Sequence, residues 1–573
     1  MDSTWLDRTH RRLWRLAGES AHLCALQDSA RQLAAAVREQ LESLRARNAC
    51  GWTAEKAQLL AALDKAQFIS TMASAGPPAT VPLGLVLFEL AAWDGGLAAL
   101  CLSRFLAQMP IVEFGVAEQK ERYASGKNLL HGALCLTEPI PGAGAEALLL
   151  MGNYRPAGDA NALSIEIDKR GRFTSHMEFA EFVVAAVEGT GGARGSALVI
   201  LEPQDAGTFD RGTPARKIGH RVASTTHPSF RLCVPAERIV GGYAMEDGVL
   251  RPHFDHRQLL EPALRRARAL LGLMTAAKAL TVAADFLPGR ECDGPEFWLP
   301  MADLWAAGEA AASLGFLAAR HCDRLNARDA RAPAAAADAN LFSPAAKLFA
   351  STRIIPALTR VAAAAGARAD GLYTYIADAQ VEAVYMGPEA SQRRQISAAM
   401  SAETFDLRVA EWIDELEGSV GNFSAPARRS LAAGFRLWSR TLCALRDAAG
   451  SGTEGVFHPA RQAAAFAMAD ALSALLAARS LLLDAAQLET AAPDADAGIV
   501  EDLVRLASAS AVSSALQTSI CLICGGSRGA SASLRRELSA LCTEAYAGLS
   551  GFQYAREKMA RFLSNRERET EST

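Results

Sequence analysis

The sequence has little net charge for its length. Its 59 lysines and arginines nearly balance 63 aspartates and glutamates, which gives a formal net charge of -4 over 573 residues. No dense run of lysine and arginine is interleaved with aromatic residues. Proteins that bind nucleic acid usually concentrate positive charge on one face. Nucleic acid is therefore excluded as an expected partner.

Long uncharged apolar runs are also missing. Residues 1–15 are charged and contain no apolar core of signal-peptide length, and no run of about 18 uncharged apolar residues occurs in the chain. We therefore expect no integral membrane segment and a cytoplasmic location.

Paired cysteines are nearly absent. The eleven cysteines are scattered, mostly inside apolar helical stretches, as reduced core thiols are. The one close pair, Cys521 and Cys524, has the spacing of half a zinc site or of a redox motif. No second pair or nearby histidine completes a zinc site, so the pattern favours a buried helix end before Gly525-Gly526. We expect neither a metal nor disulfides.

Helical periodicity dominates the first quarter and the second half of the chain. Leu59, Leu60, Leu63 and Ala66 recur at i, i+1, i+4 and i+7, which is the spacing of one helix face. The pattern resumes near Arg257 and continues in alanine-rich segments. With 50% hydrophobic residues, a chain of this length forms more than one domain.

The segment between the helical blocks has a different pattern. Short β-branched or aromatic runs at 182–184 and 197–201 are separated by Gly, Pro and Asp. We therefore predict an α+β protein that is mainly α. Its predicted parts are an N-terminal helical domain at 1–134, a central β domain at 135–250, a C-terminal helical bundle at 251–400 and an additional helical domain at 401–573.

Several short motifs occur in an order known from one enzyme family. They are Gly115 with Gln119-Lys120, Leu-Cys-Leu-Thr-Glu-Pro at 134–139 leading into Gly-Ala-Gly-Ala-Glu at 142–146, Lys-Ile-Gly at 217–219, Val-Pro-Ala-Glu-Arg at 234–238, and the segment 379–393. Over roughly residues 20–400 the chain resembles the acyl-CoA dehydrogenase family. Its extra C-terminal helices resemble those of the longer, very-long-chain members.

The resemblance implies a flavoenzyme with FAD as its cofactor. Its substrate would be an acyl-CoA or an acyl-carrier thioester, oxidised by α,β-desaturation. In this family a glutamate removes the α proton while a hydride leaves Cβ for the flavin. An electron-accepting flavoprotein is a further implied partner. A homodimer or larger assembly is also implied, because a neighbouring subunit usually completes the cofactor site.

Residue by residue, the resemblance assigns FAD contacts to Leu134, Leu136, Thr137, Gly144, Ala145, Phe173 and Ser175. Thr137 would donate its hydroxyl to a ring heteroatom, Phe173 would cover the flavin, and Ser175 would meet N5. For Thr137 and Ser175, a turn or strand-edge hydroxyl bonded to backbone is the alternative interpretation. Ala145 stands where the family has a serine that contacts the pyrophosphate.

The usual catalytic base is replaced. Where the family places a glutamate between a tyrosine and a glycine, this chain has Tyr385-Met386-Gly387. A thioether cannot accept a proton at neutral pH. The family's other base position falls on Pro262, at which we expect a helix to begin. The neighbouring Glu261 is our candidate catalytic residue. The alternative is a carboxylate that the helix dipole favours at an N-terminus.

Two functions stay open. The first is an acyl-CoA dehydrogenase-like FAD oxidoreductase that uses a displaced base. The second is a catalytically inactive, dehydrogenase-like subunit that partners an active homologue or an acyl carrier protein. The adenylate side favours the second function, because Arg290 lacks the following Phe-Gly and the loop 366–371 lacks paired glycines.

Overall fold

The computed structural model describes most of the chain. The described residues are 21–47, 51–66, 80–125, 130–138, 150–157, 163–286, 294–326, 332–418, 424–449, 455–457, 462–491, 497–526, 532–547 and 549–570. They belong to two compact units. The sheet unit comprises Ala25–Leu270 with Val384–Pro388, and the helical unit comprises Met1–Cys24, Leu271–Ala383 and Glu389–Thr573.

Helices precede the sheet along the chain. They are α1 (Ala21–Ala36), α2 (Arg38–Arg47), α3 (Ala54–Ala66), α4 (Thr80–Trp93), α5 (Gly95–Phe114) and α6 (Ala117–Tyr123). Helix α4 is buried over nearly its whole length, because it is apolar on all sides. Helix α5 begins where the Asp94 side chain accepts a hydrogen bond from the Leu97 amide. It packs against α4 and against the first strand of the sheet.

Strands occupy the middle of the sheet unit. They are β1 (Gly132–Cys135), β2 (Asn153–Ala157), β3 (Ser164–Arg170), β4 (Thr174–Ser175), β5 (Phe182–Gly189), β6 (Ser196–Leu201), β7 (Ala206–Asp210), β8 (Thr225–Thr226), β9 (Ser229–Pro235), β10 (Tyr243–Glu246) and β11 (Val249–Pro252). The main sheet has the order β1-β5-β2-β3-β9-β7, and β6 pairs with β5. The pairs β4–β8 and β10–β11 form two small ribbons. The strands predicted at 182–184 and 197–201 are confirmed as parts of β5 and β6.

Strand β5 is buried on both faces. It runs parallel to β1 and β2 and antiparallel to β6. Val183 and Ala185 enter one hydrophobic core, and Phe182 and Val184 enter another. Side chains alternate between the faces of a strand, so a continuous apolar run is what a strand buried on both sides requires.

Helices follow the sheet. They are α7 (His256–Asp285), α8 (Pro295–Asn326), α9 (Ala332–Phe349), α10 (Ile355–Ala365), α11 (Asp370–Val384), α12 (Glu389–Met400), α13 (Phe405–Gly418), α14 (Ala425–Ala449), α15 (Gln462–Ala491), α16 (Ala497–Gly526), α17 (Ala532–Ala547) and α18 (Phe552–Thr570). A π-helical turn, Ala350–Ile354, joins α9 to α10. Within the helical unit, α8 packs against α9, α10, α15, α16 and α18. The predicted α+β class with mainly helical structure is confirmed, while the four domain boundaries stay predictions.

Two local expectations are wrong. Helix α7 begins at His256 and not at Pro262, which lies inside the helix. The helix runs through Pro262 because apolar residues from Leu259 onward are buried at helical spacing. The expected buried helix end before Gly525-Gly526 is also wrong, since α16 continues through both glycines to Gly526 and Cys521 is exposed.

Several described helices are long and apolar enough to cross a membrane, judged by length and composition alone. They are Gly95–Phe114, His256–Ala284, Ala336–Arg368, Gln462–Gln487 and Gly498–Ile523. Between 50% and 100% of each apolar stretch is buried within the protein. Such burial is also what long core helices need. The cytoplasmic location and the absence of a membrane segment stay predictions.

Candidate functional site

A buried ion pair anchors Glu138, three residues after the end of β1. The Glu138 carboxylate accepts hydrogen bonds from Lys169 Nζ at 2.6 Å, from the Met151 amide at 2.6 Å and from the Gly152 amide at 2.7 Å. The Lys169 side chain is fully buried, and that of Glu138 is nearly so. Because both charges are paired and hydrogen-bonded, Glu138 is anchored to Lys169 on β3 and to the backbone just before β2. The position of Thr137, one residue earlier, is fixed with it.

The β4–β8 ribbon lies next to this loop. Ser175 pairs with Thr225 across the ribbon. The Arg172 amide donates to the Thr137 carbonyl at 2.8 Å, which joins the β1 loop to the segment that enters the ribbon. Thr137, Phe173 and Ser175 are thus brought into one region of the sheet unit. Leu134 on β1 and Leu136 just after it are partly buried.

Phe173 has an unusual backbone and an exposed ring. Its φ is 54°, in the left-handed region, and 49% of its surface is exposed. Its amide donates to His227 Nδ1 at 3.3 Å, the two rings lie edge to face with centroids 5.0 Å apart, and the Arg172 guanidinium lies 4.8 Å from the ring centre. Burial, with Arg172 adding to it, lowers the pKa of His227. A neutral His227 can accept the hydrogen bond that holds Phe173.

The lysine of the 217–219 motif has a structural task here. Lys217 Nζ donates to the His220 carbonyl at 2.8 Å, to the Ala223 carbonyl at 2.6 Å and to Thr225 Oγ1 at 3.0 Å. These three bonds use all three hydrogens of the ammonium group. Lys217 therefore stabilises the segment 220–225 that leads into β8.

Tyr385 is a site residue to which the sequence assigned no role. Its hydroxyl donates to Ser175 Oγ at 3.2 Å and lies 3.1 Å from Ser103 Oγ on α5. Burial raises the pKa of Tyr385 above its ordinary value. Met386 and Gly387 follow with φ values of 55° and 96°, so the chain turns sharply after the tyrosine. The motif Tyr-Met-Gly was the available signal, but nothing in it pointed to Ser175.

Glu261 lies on α7 and pairs with arginines. Its Oε1 is 3.4 Å from Arg265 Nε and 3.8 Å from Arg268 Nη1, and 43% of its side chain is exposed. Among the described residues, no hydrogen bond or ion pair joins Glu261 to Thr137, Phe173 or Ser175. Its part in catalysis stays a proposal.

The other predicted positions lie outside the described residues or in the helical unit. Gly144, Ala145 and Arg290 lie outside the described residues. Gly366, with a φ of 58°, ends α10 in the helical unit, and an added Cβ on Gly366 or Gly371 would meet no atom within 4 Å. Neither glycine is therefore required by close packing at its position.

We predict that acid destabilises the sheet unit, because this unit buries His176, the residue next to Ser175. Burial, with His131 and Arg104 adding to it, lowers the pKa of His176 to about 3. The neutral form is favoured by folding, so the stabilisation is present above the unfolded pKa of about 6.5 and is lost as pH falls toward 3. We expect the wild type to lose about 2 kcal/mol of its free energy of unfolding between pH 7 and pH 5 through this residue.

The variant His176→Asn tests this, because asparagine tolerates the left-handed φ of 67° and does not titrate. Denaturant unfolding at pH 7 and pH 5 should show a smaller pH difference for His176→Asn than for the wild type. The exposed His253, changed to Asn, should keep the wild-type pH difference. Equal pH differences in the wild type and His176→Asn would contradict the assignment.

No protein-family sequence profile matches this chain, and no curated protein is significantly similar in sequence. Solved structures are similar. An acyl-CoA dehydrogenase from Bacillus anthracis, complexed with FAD, is 18% identical over 96% of each chain, with a TM-score of 0.78. This chain has the acyl-CoA dehydrogenase fold. The predicted resemblance is thereby confirmed at the level of the fold.

Shorter proteins with this fold match part of the chain. Glutaryl-CoA dehydrogenase from Mycobacterium smegmatis is 17% identical over 67% of this chain and 96% of its own, with a TM-score of 0.53. Podospora anserina nitroalkane oxidase is 16% identical over 68% of this chain and 97% of its own, with a TM-score of 0.56. The Bacillus anthracis protein matches nearly the whole chain. The longer form of the acyl-CoA dehydrogenase fold is therefore shared with at least one flavoprotein.

Proposed function

We propose that the protein is an FAD-dependent oxidoreductase that oxidises an acyl thioester by α,β-desaturation. One observation carries the proposal: Thr137, Phe173 and Ser175 come together in the sheet unit, joined by the hydrogen bond from the Arg172 amide to the Thr137 carbonyl. The resemblance had assigned these three residues to the flavin ring from separate stretches of sequence. The acyl-CoA dehydrogenase fold and an FAD-complexed structure of that fold add support.

The residues present fit an isoalloxazine ring. Leu134 and Leu136 offer partly exposed apolar side chains, and Phe173 offers an aromatic ring with 49% of its surface exposed. Thr137 and Ser175 offer hydroxyls that can donate to ring heteroatoms. FAD, when bound, would supply the hydride acceptor. The chain would supply orientation and a dry apolar wall.

We propose Glu261 as the residue that removes the α proton, in place of the carboxylate that Met386 replaces. A glutamine at position 261 would keep the volume of the Glu261 side chain but could not accept a proton. Arg265 and Arg268 would hold the Glu261 carboxylate in one orientation. The same pairing favours a second candidate function, a catalytically inactive subunit in which Glu261 is a surface ion-pair partner.

The proposed partners follow from the same function. They are an acyl-CoA or acyl-carrier thioester, an electron-accepting flavoprotein and a second copy of this chain. The second copy is proposed because the resemblance implies that a neighbouring subunit completes the cofactor site. A cytoplasmic location is proposed on the sequence alone.

Purified protein refolded with excess FAD should be yellow and hold one FAD per chain. The variant Ser175→Ala should bind FAD about fivefold more weakly, because it removes one hydrogen bond, and should shift the flavin absorption maximum. Titration of the apoprotein followed by flavin absorbance measures both effects. Ser229→Ala, on the main sheet, is the matched control and should behave like the wild type. A wild type that stays free of flavin after this treatment would refute the proposed cofactor.

A further inference from the structure

Three hydroxyls form a chain inside the sheet unit. Ser103 Oγ on α5 lies 3.1 Å from the Tyr385 hydroxyl, and that hydroxyl donates to Ser175 Oγ at 3.2 Å. Ser103 is 3% exposed and Ser175 is partly exposed at the end of β4. The Ser103 end of this hydrogen-bonded row is therefore buried, and the Ser175 end lies at the proposed flavin site.

The three hydroxyls donate their hydrogens in one direction, from Ser103 through Tyr385 to Ser175. A hydroxyl carries one hydrogen, so Tyr385, which donates to Ser175, must accept at the Ser103 contact. Ser103 then donates to Tyr385, and the hydrogen of Ser175 is left to donate elsewhere. Each donation polarises the next hydroxyl, so Ser175 becomes a better donor than an isolated serine.

The backbone supports this arrangement. Tyr385 follows directly after α11, and the left-handed φ values of Met386 and Gly387 turn the chain immediately beyond it. A non-glycine residue in that region costs on the order of 1 kcal/mol, and it persists where surrounding contacts determine it. The hydrogen bonds of Tyr385 to Ser103 and Ser175 are such contacts.

We propose that Tyr385 is a positioning residue that sets Ser175 as a hydrogen-bond donor to the flavin ring and thereby favours the oxidised cofactor. The inference rests on the proposed function. The ring nitrogen nearest to such a donor is an acceptor in oxidised flavin and carries a hydrogen in reduced flavin. A serine fixed as a donor therefore stabilises the oxidised form and not the reduced one. Because burial raises the pKa of Tyr385, its hydroxyl keeps its hydrogen through the neutral range and beyond.

The test compares FAD affinity in two redox states. Tyr385→Phe keeps the ring and removes the hydroxyl. We expect it to bind oxidised FAD about fivefold more weakly, which corresponds to one hydrogen bond. Binding of reduced FAD, measured without oxygen, should change less than about twofold. Tyr373→Phe, whose ring is 57% exposed on α11, is the matched control and should leave both affinities unchanged.

A double variant separates positioning from a merely structural role. Because Tyr385 acts through Ser175, the variant Ser175→Ala/Tyr385→Phe should bind oxidised FAD no more weakly than Ser175→Ala alone. Additive losses, or an equal loss for both redox states, would overturn the inference. If Tyr385→Phe does not fold, Ser103→Ala probes the chain from its buried end. Ser103→Ala should bind oxidised FAD about twofold to threefold more weakly. An unchanged affinity would overturn the inference. A wild type that binds no FAD overturns the proposed function, whereas a wild type that binds FAD beside an unaltered Tyr385→Phe overturns only the role of Tyr385.

Discussion

Glu261→Gln is expected to slow flavin reduction by acyl thioesters by at least about 100-fold, the lower range for loss of a general base. The substitution keeps the volume of the side chain and removes its ability to accept a proton. It also loses the ion pairs with Arg265 and Arg268. Because the Glu261 side chain is 43% exposed, that loss should cost little stability. Flavin content should therefore remain at the wild-type level.

Anaerobic stopped-flow absorbance gives the rate of flavin reduction, and the flavin spectrum gives the content. Glu246→Gln is the matched control, since Glu246 is an exposed carboxylate of the sheet unit whose Oε2 lies 3.0 Å from Arg251 Nε. Equal reduction rates for the wild type and Glu261→Gln would eliminate Glu261 as the base. When Met386→Glu is added to Glu261→Gln, the rate of flavin reduction should rise again, because a carboxylate then stands between Tyr385 and Gly387. A wild type that no thioester reduces would favour the inactive subunit.

Lys278→Met is expected to lower the free energy of unfolding of the helical unit by about 3–5 kcal/mol, the cost of removing one partner of a buried ion pair. Lys278 on α7 is an ion-pair partner of Glu382 on α11, and the exposed fractions of their side chains are 0% and 1%. Thr275 Oγ1 donates to the second oxygen of Glu382 at 2.7 Å. With the lysine removed, the buried Glu382 carboxylate loses the positive charge of Lys278 and keeps the hydrogen bond from Thr275 Oγ1.

Denaturant unfolding of the full chain measures the effect. Replacing both partners, as in Lys278→Met/Glu382→Met, should recover most of the loss, because both charges of this buried pair are then removed. Arg556→Met is the control within the same unit. This variant breaks the ion pair between Arg556 and Asp303, whose side chains are 25% and 27% exposed, respectively. It should lower the free energy of unfolding by less than about 1 kcal/mol. A small effect of Lys278→Met would show that the pair contributes little to stability.

Local pattern was enough to predict much of this protein. The apolar runs at 182–184 and 197–201 predicted strands because a strand buried on both faces needs apolar residues at successive positions. The motif at 134–139 predicted a flavin-contacting loop, and Thr137 does lie beside the segment that carries Phe173. In both cases the information lies within a few neighbouring residues.

The contacts that complete the candidate site depend on tertiary structure. Tyr385 meets Ser175 across 210 positions and Ser103 across 282, and Phe173 meets His227 across 54. No local propensity encodes such a pair, because its members meet only when several elements pack in one arrangement. The beginning of α7 at His256 is a related case, since burial of its apolar face outweighs the start signal of Pro262. The sequence by itself determined the strand and helix types and singled out the segment 134–139. Packing decided which distant hydroxyls and rings reach that loop, because their positions follow from the three-dimensional path of the chain.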